Sequence, residues 1–299
     1  MIHDVIIVGG SYAGMAAALQ LVRAHRTVCV IDGGRPRNRF ADHSHGFLTQ
    51  DGVDPRKIAR TARAQLMAYP TLSWIDGQGE DVSGAIDAFV VRTDDGAMHR
   101  GRRLLFATGV SDVLPDIAGL AERWGRSVFH CPYCHGYELG KGRIGVIAVQ
   151  PMSLHQAQLL PEWGEVTFFL DDRIVPDETQ SRDLAARGVA IEPVPIARID
   201  GHANVVLADG RMLSFAGLFT APRCVPASAL PERLGCALVE TPVGVQLQVD
   251  EAKRTSVPGA FACGDVARIP HSVSLAVGDG AWAGAQVHRS LVWPAGSAS

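Results

Sequence analysis

The stretch best suited to chemistry is His130-Cys131-Pro132-Tyr133-Cys134-His135-Gly136, in which a histidine stands on each side of a Cys-x-x-Cys pair. Two cysteines at this spacing can close a small disulfide that an attacking thiolate opens easily. Histidine is the side chain best placed to move protons near neutral pH. The stretch therefore predicts thiol–disulfide chemistry at Cys131 and Cys134, with His135 and His130 as candidate bases.

Zinc binding and an inert buried pair are the alternatives for these two cysteines. A zinc site would need a second Cys or His pair at ligand spacing. The other four cysteines are single and scattered, at Cys29, Cys224, Cys236 and Cys263. No metal site is predicted, and redox chemistry is favoured over both alternatives.

Length and composition indicate the class of protein that carries this chemistry. The chain has 299 residues, of which 47% are hydrophobic and 20% charged, as in a soluble enzyme with two domains. The net charge of −3 gives no reason to expect nucleic acid as a partner. No apolar run approaches the ~20 residues that span a bilayer. One close cysteine pair among six cysteines fits a reducing compartment, so a cytoplasmic protein is predicted.

The first 32 residues can be read as a strand–helix–strand unit with a dinucleotide fingerprint. An apolar strand over residues 5–8 leads into Gly9, Ser11 and Gly14, which open an Ala-rich helix. Asp32 ends the second strand, where an acidic side chain can bind a ribose hydroxyl. Ser11 replaces the second glycine of the usual motif, and the motif alone does not distinguish FAD from NAD.

Two later strand ends favour FAD over NAD as the bound cofactor. One strand runs into Ala107-Thr108-Gly109, and another runs into Gly264-Asp265 before a helix predicted over about 274–289. Together with the N-terminal fingerprint, they resemble the two-dinucleotide-domain flavoproteins. The resemblance implies non-covalent FAD, with Asp265 on the ribityl chain and Thr108, Gly109 and Gly264 beside it. It also makes Arg39 and His45, in the loop after Asp32, candidate FAD contacts, although a solvated loop explains them equally well.

A second strand–helix–strand unit follows the cysteine pair, with strands at 143–147 and 166–170. A Cys-x-x-Cys in a second nucleotide-type domain resembles the low-molecular-weight thioredoxin reductases. The predicted fold is therefore α/β, with two Rossmann-like dinucleotide-binding domains. Residues 1–114 and 245–299 form the FAD-binding domain, and 115–244 form an inserted pyridine-nucleotide-like domain. The resemblance also implies a homodimer.

The second nucleotide site differs from that family. Its turn reads Ala148-Val149-Gln150-Pro151-Met152-Ser153 and has no glycine. After the next strand, thioredoxin reductases carry a His-Arg-Arg run for the 2′-phosphate of NADPH. This chain carries Asp171 and Asp172 there, which would repel that phosphate. The sequence predicts that NADPH is not bound; a divergent but working site is the alternative.

The stretch from His130 to Glu138 resembles a narrower branch, the dithiol oxidases that close disulfides in natural products of the gliotoxin and holomycin type. That resemblance implies that a substrate thiolate attacks Cys131 and expels Cys134, and that electrons then pass to FAD and O2. His135 stands where ordinary thioredoxin reductases carry an Asp acid, so it is the first candidate for the base and His130 the second. The predicted partners are a small dithiol or a thioredoxin-like protein. The alternatives are a disulfide reductase with a ferredoxin-like donor and a non-enzymatic flavin redox sensor.

Overall fold

The computed structural model describes residues 1–293 of the chain. They divide into two compact units. Unit 1 comprises residues 1–39, 47–111 and the chain from Cys224 onward, and unit 2 comprises residues 40–46 and 112–223. None of the helices within residues 1–293 is both long and apolar enough to cross a membrane.

The strands are, in chain order, β1 (Ile2–Val8), β2 (Val28–Asp32), β3 (Leu72–Asp76), β4 (Gly79–Ser83), β5 (Phe89–Thr93), β6 (Met98–Phe106), β7 (Val110–Val113), β8 (Val128–Phe129), β9 (Arg143–Ile147), β10 (Glu165–Phe169), β11 (Ala190–Glu192), β12 (Ile196–Asp200), β13 (Asn204–Leu207), β14 (Met212–Ser214), β15 (Gly217–Thr220), β16 (Arg223–Pro226), β17 (Leu238–Thr241), β18 (Gly244–Leu247) and β19 (Ala260–Ala262). The helices are α1 (Tyr12–Arg23), α2 (Pro55–Met67), α3 (Pro132–His135), α4 (Met152–Leu159), α5 (Glu178–Ala186), α6 (Leu230–Arg233) and α7 (Val273–Val292).

Unit 1 is built on a sheet in the order β3-β2-β1-β6-β5-β4, with β19 also paired to β6. The pairs β1–β2, β1–β6 and β19–β6 are parallel, so the carboxyl ends of these strands meet at one edge. Most of their side chains are buried because both faces of the sheet are covered. Helices α1 and α7 cover one face. The sheet edge therefore gathers the turns after β1, β2, β6 and β19.

Unit 2 repeats this plan with a parallel sheet in the order β11-β10-β9-β15-β8. Helix α4 follows β9 and lies over one face, where Val146, Phe168 and Phe219 are fully buried. A three-stranded antiparallel sheet, β12-β13-β14, covers the other face through Val205 and Leu207. The predicted α/β fold with two Rossmann-like domains is confirmed.

The predicted domain boundaries, 1–114 with 245–299 and 115–244, stay a prediction. The compact units divide the chain at different places, since residues 224–244 belong to unit 1 and 40–46 to unit 2. The reason for the first difference is packing, because Leu230 and Cys236 lie in the same buried cluster as Ile6 and Val8 of β1. Residues 294–299 of the predicted first domain lie outside the described chain.

Candidate functional site

The cysteine pair lies in unit 2, directly after β8. Cys131 and Cys134 form a disulfide with an S–S distance of 2.03 Å and a Cα–Cα distance of 5.3 Å. Pro132 begins the short helix α3, where its missing N–H costs nothing, and the Cys134 N–H donates to the Cys131 carbonyl at 3.2 Å. Both cysteines are half-buried.

The ring of His135 packs against β8. Its imidazole stacks on Phe129, with ring centroids 4.2 Å apart and an angle of 17° between the planes. Burial, and secondarily the charge of His45, lower the pKa of His135 from 6.5 to about 4. The ring is therefore neutral at pH 7.

This lowered pKa predicts a pH-dependent loss of stability. As pH falls below 6.5, His135 takes up a proton in the unfolded chain but stays neutral in the folded chain until about pH 4. The folded state should therefore lose about 2 kcal/mol between pH 7 and pH 5 through this one group. Urea unfolding at both pH values should show that loss in the wild-type protein and a smaller one in His135→Asn. Equal pH dependence in the two proteins would contradict the assignment.

His130 is held by its backbone. The Gln156 side chain, from α4, donates from Nε2 to the His130 carbonyl at 2.8 Å, and Gln156 is only 6% exposed. The His130 ring lies 5.9 Å from the ring of Trp124. Sequence reasoning missed Gln156, since a lone glutamine in a helix gives no signal of this role.

His45 lies in unit 2, beside the segment that follows the cysteine pair. Its Nδ1 is 3.4 Å from Oε1 of Glu138, and it is close enough to His135 to affect the pKa of that ring. Arg39, which lies earlier in the same loop of the sequence but in unit 1, donates from Nη1 to the Pro36 carbonyl at 3.1 Å. The two candidate FAD contacts of the loop thus lie in different units, and His45 joins the histidines of the cysteine pair.

The first fingerprint turn is built for close backbone approach. Gly9 has φ +104°, and a β-carbon there would lie 2.3 Å from the Ala107 carbonyl oxygen. A β-carbon at Gly14 would lie 1.9 Å from the Gly9 carbonyl oxygen, so helix α1 leaves the turn only with glycine at that position. The Asp32 carboxylate accepts from the Gly10 N–H at 3.1 Å. This is the geometry that a pyrophosphate-binding turn requires.

The other predicted FAD residues end strands at the same sheet edge. Thr108 follows β6, and its Oγ1 is buried without a hydrogen-bond partner among the described residues. Gly264 follows β19, and its N–H donates to the buried carboxylate of Asp279 at 2.8 Å. An unpartnered buried hydroxyl beside the fingerprint turn fits a bound polar cofactor, because such a group is costly unless it is hydrogen-bonded.

Asp265 has protein partners that the sequence did not indicate. The Arg37 Nη1 lies 3.2 Å from its carboxylate and 2.8 Å from Nδ1 of His271. A second guanidinium nitrogen of Arg37 lies 3.5 Å from the sulfur of Cys224. Arg37 thus links the strand end at Asp265 to the loop after β2, at a sequence separation of 228 residues.

The second nucleotide turn is filled by its own side chains. The Ser153 hydroxyl accepts from the backbone N–H of Val149 at 3.0 Å and of Gln150 at 3.4 Å. The Gln150 side chain donates to the Ala221 carbonyl at 2.9 Å, from the end of β9 to the end of β15. In an open parallel sheet, this crevice between neighbouring strand ends is where a dinucleotide binds. Here it is occupied by a glutamine side chain.

The turn after β10 also makes hydrogen bonds within the protein. The Asp171 carboxylate accepts from the Ile196 N–H at 2.8 Å and from the Arg173 guanidinium at 3.1 Å. Asp171 and Asp172 both adopt the left-handed conformation, with φ of 48° and 53°, which aspartate tolerates better than most residues. The position that would meet an adenosine ribose therefore carries a carboxylate already engaged by the protein.

Comparison with known proteins gives the family. The model of the pyridine nucleotide-disulphide oxidoreductases matches residues 3–280. Thioredoxin reductase sirT of Leptosphaeria maculans is 32% identical over 308 residues, which are 96% of this chain and 94% of the relative. The crystal structure of an oxidoreductase from Agrobacterium tumefaciens superposes with a TM-score of 0.96 at 54% identity and covers 98% of this chain and 100% of that one. The crystal structure of HlmI superposes with a TM-score of 0.89 at 35% identity and covers 97% and 93%. The chain therefore belongs to the pyridine nucleotide-disulphide oxidoreductase family, as a thioredoxin-reductase-like FAD flavoprotein of the branch that the His130–Glu138 stretch predicted.

Proposed function

We propose that this flavoprotein oxidises a small dithiol to a disulfide through Cys131 and Cys134, with O2 as the final electron acceptor. The observation that carries the proposal is the combination within unit 2 of a disulfide-forming pair and a nucleotide crevice filled by Gln150. A reductase needs a source of electrons, and in thioredoxin-reductase folds that source binds in this crevice. An oxidase takes its electrons from the dithiol and needs no such site.

The proposal includes the absence of NADPH from the catalytic cycle. The turn N–H groups that would hold a pyrophosphate are already bonded to Ser153. Asp171 and Asp172 place negative charge where NADPH carries its 2′-phosphate. Both features oppose the nucleotide, one by occupying its hydrogen-bond donors and the other by charge.

The exchange itself needs only side chains of this chain and the substrate. A substrate thiolate attacks the Cys131 sulfur, the Cys131–Cys134 bond breaks, and Cys134 leaves as a thiolate. The second substrate thiolate then attacks the mixed disulfide, which releases the oxidised product and leaves both cysteines reduced. FAD, when bound, supplies the two-electron acceptor that returns the pair to the disulfide.

The FAD-binding residues in this proposal are those of unit 1. They are Gly9, Ser11, Gly14, Asp32, Thr108, Gly109, Gly264 and Asp265. The turn at Gly9 and Gly14 supplies close backbone approach for a pyrophosphate, and the Thr108 hydroxyl supplies an unused hydrogen-bonding group. The homodimer and the cytoplasmic location remain part of the proposal, as implied by the resemblance and by cysteine usage.

A thioredoxin-like protein is the alternative substrate, and the names of sirT and other relatives as thioredoxin reductases favour it as a second candidate. In that case the chain is a disulfide reductase whose electrons come from a ferredoxin-like donor. A non-enzymatic flavin redox sensor is the third candidate, although binding alone gives no reason for a histidine-flanked cysteine pair.

Oxygen consumption tests the proposal. The FAD-loaded protein with dithiothreitol in air should consume one O2, and produce one hydrogen peroxide, for each disulfide formed over many turnovers. Without oxygen, the same protein should form about two disulfides per bound FAD and then stop, because the Cys131–Cys134 disulfide and FAD each accept one electron pair. Sustained reduction of thioredoxin by NADPH, with no dithiol-dependent oxygen consumption, would instead establish a reductase.

A further inference from the structure

Glu138 is the last residue of the stretch that carries the family resemblance, yet the exchange chemistry gives it no role. In unit 2, its Oε1 lies 3.4 Å from Nδ1 of His45, a residue from a distant part of the sequence. The His45 side chain is 20% exposed and that of Glu138 is 40% exposed. A carboxylate four residues after Cys134 and an imidazole thus face each other, with access to solvent.

The segment that carries His45 is seated on unit 2. Residues 40–46 belong to that unit, and the Phe40 side chain packs against Gly125. Ala41 and Ser44 are buried, at 8% and 6% exposure. His45 is therefore presented by a packed segment rather than by a freely moving loop.

The thiol exchange needs a group that takes up protons. When a neutral dithiol reduces the Cys131–Cys134 disulfide, its two S–H bonds break, one S–S bond forms in the product and one breaks in the protein. The two protons leave the substrate, and each cysteine then gains one as it becomes a thiol. A base must therefore hold a proton between its departure from the substrate and its arrival at a cysteine.

His135 is poorly suited to hold that proton. Its ring stacks on Phe129, and its pKa is about 4, mainly because of burial. An ordinary thiol has a pKa of ~8.5, so transfer of its proton to His135 has an equilibrium constant of roughly 10⁻⁴ to 10⁻⁵. The charge of His45 opposes protonation of His135 further, and the Phe129 ring stacked on it carries no charge that would favour protonation.

We propose that His45 and Glu138 form the acid–base pair that exchanges thiol protons with the Cys131–Cys134 site. The inference rests on the proposed thiol exchange. Glu138 orients the His45 ring through Nδ1 and stabilises the imidazolium that forms when the ring takes a proton, as a carboxylate does in hydrolase triads. His45 exchanges that proton with solvent or with a cysteine, while His135 remains a neutral, packed ring. Glu138 acts through His45 and is a positioning residue.

The test measures reduction of the disulfide alone. The oxidised, FAD-loaded protein is mixed with dithiothreitol without oxygen, quenched with an alkylating reagent at millisecond to second times, and analysed by mass spectrometry for labelled Cys131 and Cys134. The rate is recorded from pH 6 to pH 9.5 for the wild type, His45→Asn, Glu138→Gln and His135→Asn. His43→Asn is the matched control, because His43 is exposed in the same segment with its ring 6.2 Å from that of His45.

At pH 7, His45→Asn should lose about 100-fold in rate, the lower end of what a general base contributes. Glu138→Gln should lose about tenfold, as expected for a group that orients another. Both losses should shrink to less than about threefold at pH 9.5, where dithiol is ionised without help. His135→Asn should show a loss that is the same at every pH, and His43→Asn should match the wild type.

A loss in His45→Asn that does not change with pH would indicate a structural role and overturn the proposal. The same follows if His43→Asn loses as much as His45→Asn, or if only His135→Asn is rescued by high pH. Unchanged melting temperature and flavin content exclude misfolding. If the wild-type disulfide is not reduced by dithiothreitol at any pH, the proposed function is wrong, and this inference, which rests on it, is wrong too.

Discussion

Cys131→Ser and Cys134→Ser should each abolish dithiol-dependent oxygen consumption, with a loss of at least about three orders of magnitude. Removal of a covalent nucleophile can cost up to about 10⁶ in kcat, and neither single cysteine can complete two successive exchanges. The two variants should nevertheless bind FAD and melt near the wild-type temperature, because Cys131, just before the short helix α3, and Cys134, within it, are half-buried rather than part of a core.

The two variants should differ when they are offered a disulfide. In Cys134→Ser, Cys131 remains as the thiol that meets substrate, so a small aromatic disulfide should form a stable mixed disulfide with it. In Cys131→Ser, the remaining thiol is the one proposed to leave, and trapping should be at least about tenfold slower. Mass spectrometry of the intact protein measures both. Faster trapping in Cys131→Ser would reverse the roles of the two sulfurs.

Cys236→Ser is the matched control for this experiment. The Cys236 thiol lies 3.6 Å from the Thr255 hydroxyl, so a serine can keep that contact. Burial raises the pKa of Cys236, of Cys263 and of Cys29, the last to about 11. Thiols with a raised pKa react slowly, so Cys236→Ser should keep activity within about twofold, and Cys29, Cys236 and Cys263 should be labelled more slowly than the redox pair.

Local patterns predicted the parts of the site that lie close together in sequence. The Gly9–Gly14 turn, the strand ends at Thr108 and Gly264, and the absence of glycine at Gln150 are each set by a few consecutive residues, and each lies where the strand order places it. Their chemistry depends on backbone conformation, which short motifs determine.

The contacts that the sequence did not predict join residues far apart in the chain. Examples are His45 with Glu138, Arg37 with Asp265, and Gln156 with His130. Such pairs carry no periodicity or spacing and arise only from tertiary packing. For His45, the sequence indicated a loop that wraps a cofactor, while the fold seats residues 40–46 on unit 2. The position of His135 next to Cys134 in the sequence made it the first candidate for the base. The sequence could not show that its ring stacks on Phe129.

Pyridine nucleotides should fail to reduce this protein. In stopped-flow mixing without oxygen, dithiothreitol should bleach the flavin absorbance within a turnover time, while 1 mM NADPH or NADH should be at least about 1,000-fold slower. The physical reason is that the protein's own side chains already occupy the nucleotide site. Gln150 donates a hydrogen bond to the Ala221 carbonyl across the crevice, and the Ser153 hydroxyl accepts from the N–H groups of the turn. A nucleotide must break these contacts before it gains any of its own, which should place its Kd above about 1 mM.

Two variants separate the causes of this weak binding. Gln150→Gly empties the crevice and should lower the Kd of NADH by about tenfold, measured by calorimetry. The same change should help NADPH less, because Asp171 and Asp172 still oppose its 2′-phosphate. Adding Asp172→Arg should then improve NADPH more than NADH, since Asp172 is exposed whereas Asp171 holds the Ile196 N–H. If the unmodified protein is bleached by NADPH as fast as by dithiothreitol, the filled crevice opens during turnover, and the chain works as a reductase.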